Sequence, residues 1–160
     1  MATGKIGSVA KVASSAYPFD KLLSHLQKIG TAKQTVQVFD PNAVINKTHL
    51  DGAFFNAIEA FKDGTNISNS LGMEMLLFAA MTSQIDDAIK IAGAKSGKEF
   101  VIFASSAAMF NRAKQYLKSS KDFKPSVLQQ AKTAKRYGIT QRADLDHFIL
   151  QKITLSRLSD

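Results

Sequence analysis

Hydrophobic positions along this chain change their spacing from block to block, and those changes lay out its elements. Residues 9–16 mix small and β-branched side chains and predict a strand, with a start as early as Lys5. Pro18 suits the first turn of a helix running to Ile29, with Gly30 as its stop. Thr35-Val36-Gln37-Val38-Phe39 alternates and predicts a second strand. Asp40-Pro41 reads as a cap followed by proline at the first helical position, opening a short turn through Val44. Thr48 and Asp51 resemble a capping box with Asp in the place of Glu. Leu50, Phe54, Ala57, Ile58 and Phe61 then recur at helical spacing until Gly64.

Residues 69–93 are the densest apolar stretch. They predict two helices, 70–80 and 84–92, meeting at a corner. Ser83 is the expected cap of the second, and Asp86 and Asp87 sit near the positive end of its dipole. Phe100-Val101-Ile102-Phe103 is a continuous apolar run, as in a central strand covered on both faces. Ser105 or Ser106 caps a helix to about Leu117. Residues 118–125 are polar and basic and read as a loop. Two more helices, 126–137 and 142–158, are separated by Gly138. No repeat or linker divides the chain. The expected fold is a single α+β (mixed α/β) domain over residues 1–160. Its central sheet would be small and mostly antiparallel, with about three to five strands flanked by several helices.

Composition narrows this. With 160 residues, 45 % of them hydrophobic, the chain can build a core. It has no cysteine, which removes disulfides and thiolate metal sites and fits a reducing compartment. No stretch reaches the roughly 18 apolar residues of a membrane span. The start, Met1-Ala2-Thr3-Gly4-Lys5, has no signal-like core, so a cytoplasmic protein with no membrane partner is expected.

Charge adds a direction. Residues 1–104 hold 10 Lys/Arg and 9 Asp/Glu, whereas residues 105–160 hold 11 and 4, so nearly all of the +8 sits in the last third. Such asymmetry favours an acidic partner, nucleic acid being the commonest. Arg112, Lys114, Lys118, Lys121, Lys124, Lys132, Lys135 and Arg136 face one acid, Asp122, with Tyr116, Phe123 and Tyr137 interleaved. Cations for phosphates and rings for bases are what single-stranded RNA requires. The alternative is a solvated face with the rings turned into the core.

Catalytic signals are weak. Residues 93–99 look like a phosphate loop, but they have three residues between the glycines, Glu after the Lys, and a helix-to-strand context; a helix stop and turn accounts for them better. His25, His49 and His147 lack ligand spacing, and His25 and His49 read as surface or boundary residues. There is no GxSxG elbow. No metal or cofactor is expected. Glu74 lies among Met73, Met75, Leu76 and Leu77, where a charge needs a partner; a backbone amide or a basic residue would fix the helix corner.

Asn69-Ser70, Met73-Glu74, Ser83-Gln84-Ile85, Ala88-Ile89 and Gly93-Ala94 resemble the pattern of the kinase-binding small subunit of the KEOPS complex, the TPRKB family. Glu74, Gln84, Ile85, Ala88 and Ile89 carry that signature. The sequence departs from it at Met81-Thr82, where the family often has a glycine-containing break. The resemblance implies a non-catalytic subunit of the complex that installs threonylcarbamoyl on tRNA adenosine. Such a subunit docks on the small atypical kinase, supports its activity and helps recruit tRNA by its 3′ CCA end. The transfer belongs to a separate ASKHA-fold subunit. Asn69 and Ser70, beside a groove at the corner, join the cations as candidate RNA contacts. The competing readings are a stand-alone RNA-binding adaptor and a small-molecule-binding α/β protein.

Overall fold

The computed structural model describes residues 7–158. Its elements run β1 (Val9–Ser15), α1 (Phe19–Ile29), β2 (Val36–Phe39), a 3-10 turn (Pro41–Ala43), α2 (Lys47–Asp63), α3 (Leu71–Ala80), α4 (Ile85–Ala92), β3 (Phe100–Ala104), α5 (Ala107–Lys114), β4 (Leu117–Asp122), α6 (Val127–Arg136) and α7 (Leu145–Leu155). The sheet order is β2-β3-β1-β4 and every pairing is antiparallel. This is the expected small α+β sheet, with four strands.

β3 is central and fully buried, and its alternation feeds two cores. Phe100, Ile102 and Ala104 join Leu22 and Leu26 of α1 and Met109 and Phe110 of α5 on one face. Val101 and Phe103 meet α2, α3, α4, α6 and α7 on the other. Both faces of the strand are covered, which is why its sequence is apolar without interruption.

Local signals set the ends. Asp40 accepts from the Asn42 amide, as its cap position predicts. Ser70, Ser106 and Ser126 each accept from the third amide of their helices. Gly64 takes the left-handed conformation that closes α2. Met81 does the same for α3 at φ 57°, and its N–H reaches the Leu77 and Phe78 carbonyls.

Six expectations about the elements need correction, and one lies outside the described residues. Residues 118–125 are not all loop: β4 occupies Leu117–Asp122, and the α5 helix ends at Lys114. β4 is an edge strand whose side chains past Leu117 are all exposed, so no apolar alternation announces it. Thr48 and Asp51 form no capping box; Asn46 caps α2, Thr48 bonds Asp146, and Asp51 bonds Ser8 and Lys47. Ser83 does not cap α4; Gln84 stands there with no side-chain cap bond. Pro18 precedes α1 as its N-cap rather than lying within its first turn. α7 runs Leu145–Leu155, shorter than 142–158. The early start of β1 near Lys5 falls outside the described residues.

Candidate functional site

The corner where the α2–α3 loop enters α3 is built around Glu74. Its side chain is fully buried. The carboxylate accepts from the Ile67 and Ser68 amides, from the Ser68 hydroxyl, and from Arg157 Nη1 at 2.9 Å. Arg157 lies over the Phe78 ring at 4.1 Å and also reaches the Thr65 carbonyl. The end of α7 is thus tied to the loop between α2 and α3, and that loop presents Asn69 and Ser70. Glu74 finds both backbone amides and a cation, as the burial argument required, but these bonds tie the α2–α3 loop and the end of α7 to the start of α3 and do not reach the α3–α4 turn.

Beside that loop lies a groove of about 750 Å³. It runs between α1, the outer edge of β2, the start of α3 and the end of α4. Leu23, Leu26, Phe61, Leu71 and Ile89 supply apolar walls. Gln27, Gln34, Gln37 and Asn69 supply amides. Among the described residues no Lys, Arg, His, Asp or Glu lines it. Gly72 allows α3 to approach β2: a Cβ there would stand 3.1 Å from both the Thr35 hydroxyl and the Gln37 amide nitrogen. Ser70 Oγ is committed to its helix, accepting from Met73 N at 3.2 Å, whereas Asn69 is exposed at the mouth.

Of the signature residues, Gln84 is exposed and does not line the groove. Ala88 is buried in the core, but Ile85 and Ile89 on the same helix remain 38 % and 46 % exposed. One turn apart, they form a half-exposed apolar stripe, and Ile89 also walls the groove.

The eight cations are exposed and are not gathered into one cluster. Arg112 and Lys114 ride on α5 over one face of the sheet, and Lys132, Lys135 and Arg136 ride on α6 over the other. Lys118, Lys121 and Lys124 lie on or just after the β4 edge between them. Arg136 donates to the Asn42 carbonyl, and Lys124 pairs with Asp122 at 3.9 Å. Lys11 bonds Asp122 too and holds its carboxyl below the usual range. The interleaved rings divide. Tyr137 donates to the Ala43 carbonyl, and burial pushes its phenol above the ordinary value. Phe123 packs against the core. Tyr116 instead stacks on His25 at 4.4 Å.

His49 corrects its surface assignment. It is completely buried, accepting from Ile45 N at 3.0 Å through Nδ1 and meeting Ala79 O at 2.8 Å through Nε2. Burial pushes its pKa down to about 4, opposed in part by the Ala79 bond. His25 is half-buried and His147 exposed. Among the described residues no three His, Cys, Asp or Glu side chains are grouped as metal ligands. In the phosphate-loop lookalike, Lys95 Nζ donates to the Lys90 and Gly93 carbonyls, so it closes α4.

Residues 13–157 match the family model of the kinase-binding protein CGI-121. The chain belongs to the CGI-121 family. Membership places it with accessory kinase-binding proteins rather than enzymes, in line with the resemblance read at residues 69–94. The KEOPS complex subunit Cgi121 of Pyrococcus abyssi is 36 % identical over 63 residues, covering 39 % of this chain and 37 % of that protein. Among the described residues no helix is long and apolar enough to cross a membrane. Sequence reasoning expected a groove beside Asn69 and Ser70 but missed the segments that form its far wall. The groove walls come from residues 19–38, 61–76 and 89–94, and nothing local in the sequence joins those segments.

Proposed function

We propose that this CGI-121 member is a non-catalytic adaptor of a KEOPS-type tRNA-modifying complex. It binds the small atypical kinase, and it holds tRNA by the single-stranded 3′ CCA end in the Asn69 groove. The transferase is reached only through the complex. The observation that carries the RNA reading is the uncharged lining of the groove, amides set among apolar walls. Bases offer flat apolar faces and edges with both donors and acceptors, which amides match. Phosphates call for cations, and these lie outside the groove, on α5, β4 and α6, where they raise encounter without fixing register. The kinase reading rests on the family description together with the half-exposed Ile85 of α4, which lies outside the groove lining.

Two measurements test these halves. Labelled tRNA lacking its CCA end should bind at least tenfold more weakly than intact tRNA. Equal affinity would leave the groove to a small uncharged ligand, for which its volume is sufficient. Ile85→Asp should abolish co-purification with the kinase and leave the fold intact by circular dichroism; retention of the kinase would refute docking at α4.

A further inference from the structure

Tyr17, His25 and Tyr116 come from the β1–α1 loop, from α1 and from the α5–β4 connection, yet their rings meet. His25 and Tyr116 stack with planes 9° apart, and Tyr17 tilts against them with centroids at 5.3 and 5.7 Å. Tyr17 is 41 % exposed and the other two are half-buried. The cluster therefore stands at the surface rather than in the core.

Its position relative to the groove gives it a use. Phe19 lines the groove and also lines a second, more open cleft of about 960 Å³, and Tyr17 is on the wall of that cleft. Phe19 is common to both linings, so the cleft that Tyr17 walls adjoins the groove. In the second cleft Lys98 and Lys118 are balanced by Asp20 and Glu99, and the Ser14 and Ser119 hydroxyls bond each other at 2.7 Å. Equal numbers of each charge give no preference for phosphate. What the cleft offers is a ring face.

We propose that Tyr17, backed by His25 and Tyr116, is a stacking platform for a nucleobase of the single-stranded RNA segment adjoining the end held in the groove. This rests on the groove reading above and adds a second, salt-insensitive contact. Ring stacking accepts any base, so the platform lengthens the grip without imposing sequence. His25 and Tyr116 act through Tyr17 by fixing its tilt.

The chain has three tyrosines and no tryptophan, and Tyr137 is sequestered, so tyrosine emission reports on this cluster. The groove lining contains no tyrosine. The probe is a short single-stranded RNA ending in CCA, carrying a 5′ dye for anisotropy, with the CCA trinucleotide as control. The longer RNA should quench tyrosine emission as it binds, and the trinucleotide should bind without quenching. Tyr17→Ala should weaken the longer RNA about tenfold with an unchanged salt slope, and Tyr17→Phe should restore it. Binding without quenching, with Tyr17→Ala equal to wild type, overturns the platform and leaves the groove reading intact. Failure of both RNAs to bind overturns the groove reading and the platform with it.

Discussion

The Glu74 corner, where the α2–α3 loop enters α3, and the basic last third treat polar groups in opposite ways. At the corner the single buried acid has a partner for each oxygen, and removing any one leaves a desolvated group behind. In the basic third, Arg157 is drawn into that corner and Arg136 and Lys124 have partners, while Arg112, Lys114, Lys118, Lys121, Lys132 and Lys135 make no side-chain hydrogen bond or ion pair among the described residues. A buried charge must be answered at one position by specific atoms, whereas an exposed one costs little and can sit anywhere on the face. The corner is therefore a fixed frame for the groove, and the basic third is a field around it.

This contrast can be broken at its strongest point first. Glu74→Ala strips the Ile67 and Ser68 amides and Arg157 of their acceptor, and should cost roughly 3–5 kcal/mol in urea unfolding. A loss near zero would mean that the corner does not depend on its acid.

The second test is acid. His49 titrates at about 4 in the fold against 6.5 in the unfolded chain. Between these values the unfolded state binds the extra proton, so the stability that His49 contributes is complete above pH 6.5 and is lost as pH falls toward 4. The expected loss is about 3 kcal/mol. Comparing unfolding free energies across that window in wild type and His49→Gln isolates this part, and His49→Gln should show the shallower slope.

Gly93 gives a smaller effect. A Cβ there would stand 2.5 Å from the Ile89 carbonyl oxygen, a backbone atom that cannot swing away. Gly93→Ala should cost about 1–3 kcal/mol, although its extended φ of −68° suits any residue. The smallest change is expected on the other side of the comparison. Lys132→Gln and Lys135→Gln should alter stability by less than about 0.5 kcal/mol. Each that contacts a phosphate should lower the salt slope of RNA binding by about one.

How much of this was legible follows from the same physics. The β1, β2 and β3 strands, the Ser106 cap and the demand of Glu74 for a partner are short-range consequences of residue type and read correctly, whereas Ser83 did not cap α4. β4 did not, because an edge strand exposed on both faces carries no apolar period. His49 sits between Thr48 and Leu50, and its burial is decided by Ile45 and by Ala79 on another helix. Asn46 took the cap expected of Thr48, and its own residue type was the available signal. Of the predicted site residues, Asn69 and Ser70 do line a groove, but Gln84 does not, because the turn at Met81 carries it away from the mouth. The opposite wall of the groove comes from α1 and β2, some 40 residues earlier in the chain, and only the fold joins them.

The central claim is that the groove identifies an RNA end while the basic third attracts it. Titrating intact and CCA-trimmed tRNA at several salt concentrations, against wild type and a Lys132→Gln/Lys135→Gln variant, separates the two most directly. Trimming should lower affinity at every salt concentration without changing the slope. The double variant should flatten the slope and keep the full penalty for trimming. Trimming without effect, or a slope unchanged by loss of both lysines, would contradict the account.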